Sequence, residues 1–168
     1  TSMIDDLDPK LLFIANESKK RFNVHPRPIS KKNFDKDVAS FLEIYNSALP
    51  GQWGFTPMSA NELKATASGL KMLIVPEMTT MAEIEGRPVA TVFGLLDFNP
   101  TIKSINGRLF PFGFLKILLG KKKIKRVRLI STNVIPEYQR WGLGLVLLQR
   151  LVPDILKWGI KELEFSWV

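Results

Sequence analysis

The apolar positions of this 168-residue chain change period along its length. Phe34, Val38, Phe41, Leu42, Tyr45 and Leu49 are spaced by four, three, one, three and four, which lines one face of a helix; Pro50-Gly51 stops it. Before it, Asp8-Pro9 predicts a helix start with proline at the first helical position, running to about Arg21. HPRPIS at 25–30 is too proline-rich for a helix and predicts a short edge strand. Ser59-Ala-Asn-Glu62 is a capping box, in which serine and glutamate satisfy each other's free amides, and it opens a helix carrying Leu63 and Leu70. Residues 78–98 then read as two strands joined at Glu85-Gly86, where glycine supplies a positive φ. The stretch 99–124 predicts a partly helical excursion, interrupted by Pro111 and Gly113. VRLISTNVI at 127–135 is a strand. Leu145, Leu148, Leu151, Val152, Ile155 and Leu156 mark a helix beginning near Trp141 or Gly142. Pro153 is expected to kink or weaken that helix and Gly159 to cap it. ELEFSWV at 162–168 alternates and forms the last strand.

Mixed helices and strands with one antiparallel hairpin argue an α+β fold, or α/β with a mixed sheet. The closing strand–helix–strand unit places its two strands parallel.

Composition removes several classes of chemistry. At 45% apolar residues the chain belongs with globular domains, not disordered ones. Its longest apolar candidate, LFPFGFLKILLG at 109–120, is too short to span a bilayer and holds Lys116. The first ten residues are acidic and unlike a signal peptide, so a cytoplasmic location is expected. Cysteine is absent and His25 is the single histidine, which argues against thiol catalysis, a multi-histidine metal site and a Ser-His-Asp triad; no metal is expected. The net charge of +8 is partly local, with Lys116, Lys121, Lys122, Lys123, Lys125, Arg126 and Arg128 within thirteen positions. Such a block attracts phosphates, although a solvated turn explains each lysine singly.

The remaining signal is EYQRWGLG at 137–144, between the strand and the apolar helix. Glycines there either allow a tight turn or let something approach the backbone. The first amides of a helix lack internal partners and lie at the positive end of its dipole, so they suit an anion, and Gln139 and Arg140 add donors. A diphosphate fits several converging amides better than one carboxylate does.

Gln139-x-x-Gly142-x-Gly144 resembles the R/Q-x-x-G-x-G/A signature of the GNAT family, the Gcn5-related N-acetyltransferases, with Val134-x-Pro136 and Tyr138 resembling the family's entry into that loop. Trp53-Gly54-Phe55-x-Pro57 is similar to a stretch in bacterial members of unassigned substrate. The competing reading of the glycines is a tight strand–helix turn packed on the sheet. The resemblance implies a GNAT-like acyl-CoA N-acyltransferase fold over 27–168, a central mixed sheet flanked by helices, with 1–26 as an N-terminal helical extension and 99–124 as the excursion. It implies acetyl-CoA or another acyl-CoA as cosubstrate and direct acyl transfer to a small-molecule or peptide amine. Trp141, Gly142, Leu143, Gly144 and Leu145 would hold the pyrophosphate, helped by Gln139 and Arg140, while the strand edge at Thr132, Asn133 and Val134 would pair with the pantetheine arm. An amide near Thr132 or Asn133 would polarise the thioester carbonyl.

The catalytic base is unknown from sequence; Asp97, Ser131 and Thr132 are the candidates, and Glu83, Glu85, Glu162 and Glu164 read as surface or strand residues. Family domains continue past this last strand, so the domain is expected to be incomplete at Val168 and a homodimer is expected to cover the sheet edge. Rival readings are a non-catalytic CoA-binding or interaction domain, and a nucleic-acid or membrane-surface binder using Lys121–Arg128 with the aromatic stretch 109–119. Nucleic acid and membrane are not the expected partners; core packing is the plainer reading of Phe110, Phe112 and Phe114, with a pocket cap or dimer interface as the alternative.

Overall fold

The computed structural model describes residues 8–51 and 53–165. The first helix, α1 (Pro9–Arg21), is capped by the Asp8 carboxylate, which accepts from the Lys10 amide. Next come β1 (His25–Pro28), α2 (Phe34–Ala48) and α3 (Ala60–Leu70), the last opened by the expected Ser59–Glu62 capping box. A hairpin of β2 (Thr79–Ile84) and β3 (Arg87–Leu96) turns through Glu85 and Gly86, whose φ values of 52° and 76° are both left-handed, the geometry that follows strand twist. The excursion folds as α4 (Asn99–Ser104) and α5 (Gly113–Gly120). The chain then forms β4 (Arg126–Val134), α6 (Leu143–Lys157) and β5 (Glu162–Phe165). Residues 166–168 of the expected last strand lie outside the described residues.

The five strands form one sheet in the order β1-β2-β3-β4-β5, antiparallel except for the β4–β5 pair. Helices flank it on both sides. Phe93 of β3 meets Phe41 of α2 at 5.9 Å between ring centroids, whereas Thr80, opposite the neighbouring Val92, accepts from Arg150 of α6. Successive strand residues point to opposite faces, so α2 and α6 lie across the sheet from each other. On the α6 side Val146, Leu147, Leu151 and Ile155 pack against Ala82, Val92 and Leu129 to form the core.

Tertiary packing decides two points that the sequence left open. Helix α6 runs through Pro153 to Lys157, because Leu151, Val152 and Ile155 on either side are buried. Gly159, φ 73°, follows the Trp158 C-cap and turns the chain out of the helix, as expected. The phenylalanines of the excursion do not enter the core: Phe110, Phe112 and Phe114 are 90%, 76% and 43% exposed, and only Gly113 and Ile117 of α5 are buried.

Candidate functional site

At the β4–α6 junction the two glycines have different physical causes. Gly142 is the N-cap of α6 at φ 74°, and Arg140 is also left-handed at φ 68°. A Cβ on Gly142 would meet the Ser18 Oγ of α1 at 2.7 Å, so this glycine serves both the turn and the close approach of α1. Gly144, one turn residue further, faces open space, with nothing within 4 Å of its would-be Cβ. Among the described residues the amides of Arg140, Gly142, Leu143 and Gly144 have no acceptor, whereas two of the amides expected to face a diphosphate are occupied: Trp141 donates to the Tyr138 carbonyl and Leu145 to that of Gly142. The loop is therefore closed on one flank by α1 and free on the other. Its shape is held by Gln139, whose Nε2 donates to the Val134 carbonyl at 3.2 Å, and by Trp141, stacked on Phe22 at 3.8 Å and edge-on to Tyr138 at 4.7 Å. Gln139 thus pins the loop to the end of β4, and α1, read from sequence as an extension, packs along α6 with Asn16 accepting from Gln149.

Strand β4 carries a feature that alternation concealed. Its register to β3 passes from Phe93↔Ser131 to Gly94↔Leu129, leaving Ile130 as a bulge. A bulge re-aims the side chains and amides on either side of it. Here it lets consecutive residues Ile130 and Ser131 line the same cavity. That cavity, about 520 Å³, lies between the sheet and α2 and α3, with walls of Val38, Phe41, Tyr45, Phe55, Leu63 and Phe93 among others. All of the apolar face that predicted α2 except Leu42 thus borders a hollow instead of packed core. On its floor Thr79 is buried and its hydroxyl has no partner among the described residues. Ser131 accepts from the Asn133 amide group, and the Asn133 Oδ1 is a second buried atom without a partner. Of the ionisable side chains lining the cavity, Asp37 is engaged by Arg27 through bonds of 2.7 and 3.0 Å and by the Ser30 amide; Tyr45 is the other. Burial alone would raise the Asp37 pKa, but the Arg27 bonds and the Ser30 amide outweigh it and hold the carboxyl below its ordinary range.

The candidate residues separate into two groups. Thr132, Asn133, Val134 and the loop Gln139–Leu145 come together at the end of β4 away from β5, whose described pairing stops at Leu129↔Phe165. Leu143 is buried, whereas Thr132, Gln139 and Arg140 are exposed. Ser131 opens into the cavity. Asp97 does not reach it: it follows β3, four residues beyond the Phe93–Ser131 level, roughly 13 Å away by strand rise. There its Oδ1 accepts from the Asn99 amide at 3.1 Å and its Oδ2 lies 3.7 Å from Arg126, a turn-capping role. Glu83, Glu162 and Glu164 are paired with Arg27, Arg126 and Arg128, and Glu85 sits in the hairpin turn. Among the described residues no group of His, Asp or Glu could hold a metal ion, and no helix is long and apolar enough to cross a membrane.

No family model matches the chain. It is 31% identical over 166 residues to protein YghO of Escherichia coli K12, covering 95% of this chain and 42% of that protein. It is 30% identical over 148 residues to a bacterial ceramide synthase of Caulobacter vibrioides, covering 84% of this chain and 38% of that protein. The chain thus spans about two fifths of the length of these relatives. Among solved structures, a GNAT family acetyltransferase of Brucella melitensis in complex with acetyl-CoA superposes with a TM-score of 0.55 at 13% identity, covering 86% of this chain and 76% of the other.

Proposed function

We propose, from the premise that this chain carries the GNAT acyl-CoA N-acyltransferase fold, that it transfers an acyl group from acyl-CoA to an amine bearing a long hydrocarbon chain. The observation that carries the reading is the pair of adjoining features on β4: a loop of unpaired amides at one end and an apolar cavity beside the bulge. The amides of Arg140, Gly142, Leu143 and Gly144 suit the diphosphate of the acyl carrier, and the open side of Gly144 leaves room for it. The edge of β4 at Thr132–Val134 would align the extended arm by main-chain hydrogen bonds.

The acceptor reading rests on the cavity and on one relative. A ceramide is the amide of a long-chain amino alcohol, and the chain shares 30% identity with a bacterial ceramide synthase. A hollow of about 520 Å³ lined by Phe41, Leu63 and Phe93 is of ligand-pocket size and suits an aliphatic tail. Thr79 and Ser131 on its floor are the polar groups able to engage a hydroxyl or the amine.

In the reaction the amine nitrogen attacks the thioester carbonyl carbon. The oxyanion forms beside β4, and the donor that would stabilise it is a main-chain amide near Thr132 or Asn133, or one re-aimed by the Ile130 bulge. The C–S bond then breaks, the thiolate takes up a proton and the nitrogen loses one. Among the described residues the cavity offers no free carboxylate, so proton removal falls to water held by Ser131, or to a residue beyond those described; Thr132, the other hydroxyl candidate, does not line the cavity.

The test incubates the chain with acetyl-CoA or palmitoyl-CoA and either sphinganine or a short amine, and measures amide product by mass spectrometry. Amide from sphinganine in excess over the short amine supports the reading. Acyl-CoA binding without any amide supports a CoA-binding domain instead. No binding of any acyl-CoA refutes both.

A further inference from the structure

The segment between β3 and β4 has a surface that acyl transfer does not explain. It holds seven cations from Lys103 to Lys125 and no acidic residue between 99 and 125. Among the described residues none of the seven is in an ion pair. Between them stand Leu109, Phe110, Phe112, Leu115 and Leu119, exposed by 52%, 90%, 76%, 52% and 73%. Large side chains displayed this fully along one short segment mark a contact surface.

The chemistry of the patch selects its partner. Protein interfaces deplete lysine at their centre, whereas here the lysines interleave with the apolar side chains: Lys116 sits between Leu115 and Ile117 on α5. Nucleic acid would use the lysines but has no place for Leu109, Leu115 and Leu119. An anionic bilayer uses both, since apolar side chains enter the boundary between headgroups and acyl chains while lysines reach up to phosphates. The basic turn is also fixed to the body of the domain. Lys121 donates to the Met72 carbonyl, and Lys122 lies 3.6 Å from the centre of the Trp158 ring. Ile74, two residues after Met72, lines the cavity between the sheet and α2 and α3, so the patch adjoins that cavity's rim.

We propose that residues 105–123 form a peripheral docking element for the surface of an anionic lipid bilayer. Phe110, Phe112 and Leu119 insert, and Lys116, Lys122 and Lys123 bind the lipid phosphates. The inference stands on the patch itself and does not need the acyl-transfer reading. It departs from the sequence expectation because the structure exposes the phenylalanines that core packing was to bury.

The experiment is co-sedimentation of the chain with vesicles of phosphatidylglycerol and phosphatidylethanolamine, with phosphatidylcholine vesicles and duplex DNA as parallel arms, at low and high salt. Binding to the anionic vesicles is expected, about fivefold weaker for each lysine replaced in Lys116→Gln/Lys123→Gln. Phe110→Ser/Phe112→Ser is expected to weaken it by about tenfold or more, and its circular dichroism should match the parent because both side chains are exposed. The proposal is overturned if the parent chain does not sediment with anionic vesicles, if the double phenylalanine variant binds them equally well, if DNA binds more tightly at the same salt, or if the parent self-associates through these phenylalanines. Thermal stabilisation by acyl-CoA, read on the same variants, should be unchanged, which separates failure of docking from failure of the acyl-transfer reading.

Discussion

Replacing Gly144 by leucine should make the fold more stable and the ligand site worse. The glycine occupies the first turn of α6 with an ordinary backbone and open space where a side chain would project. A residue with good helix propensity there gains about 0.5–1 kcal/mol over glycine. For a domain of this size that raises the melting temperature by about 1–4 °C. In the parent, acyl-CoA at a hundred times its dissociation constant adds about 2.7 kcal/mol, a further rise of about 5–11 °C. If the leucine side chain occupies the space over the unpaired amides and weakens binding about thirtyfold, the remaining stabilisation is about 0.9 kcal/mol. Scanning fluorimetry with and without acetyl-CoA reads both numbers in one experiment, and Gly144→Ala supplies an intermediate size. A variant that melts higher than the parent yet keeps the full ligand-induced rise would refute the argument that the diphosphate sits at this helix end.

The second glycine should behave in the opposite way. Gly142→Ala meets both a left-handed φ of 74° and the Ser18 Oγ at 2.7 Å, so chemical denaturation should show a loss of about 1–3 kcal/mol. Adding Ser18→Ala should restore only the steric part, because the Ser18 Cβ lies at an ordinary 3.6 Å. Asp37→Asn should cost about 2–4 kcal/mol near neutral pH by leaving the Arg27 guanidinium short of its partner. The Asp37 pKa is depressed in the folded state, so its contribution is complete above the unfolded value of about 4 and disappears as the pH falls through the lower folded value. Urea midpoints of parent and variant should therefore converge on acidification; a gap that widens as pH drops contradicts this. Ala67→Phe, filling the cavity between α3 and the sheet, should cut turnover of a long-chain amine while leaving the acetyl-CoA melting shift intact, and equal loss of both would place the cavity outside acceptor binding.

Local chemistry made much of this protein legible from its sequence. Asp8, the Ser59–Glu62 box, Glu85-Gly86 and Gly159 punctuate the chain through caps and turns that need only near neighbours, and each does so in the structure. The alternation of β4 and the spacing of α6 implied the parallel β4–β5 crossover, and the glycine spacing put an unpaired helix start within it, soon after β4. What the sequence left open depends on contacts between distant segments. It could not distinguish the two glycines, because Gly142 is constrained by Ser18, more than a hundred residues earlier, and Gly144 by nothing. It could not show that Pro153 is tolerated, since burial of neighbouring side chains against the sheet offsets the lost hydrogen bond. The bulge at Ile130 is a mismatch of register with β3, invisible in either strand alone, and it turns Ile130 and Ser131 toward one cavity. The apolar pattern stated which residues avoid water, but whether they fill a core, line a hollow or stand on the surface, as Val146, Phe41 and Phe110 respectively do, is a property of what packs opposite them.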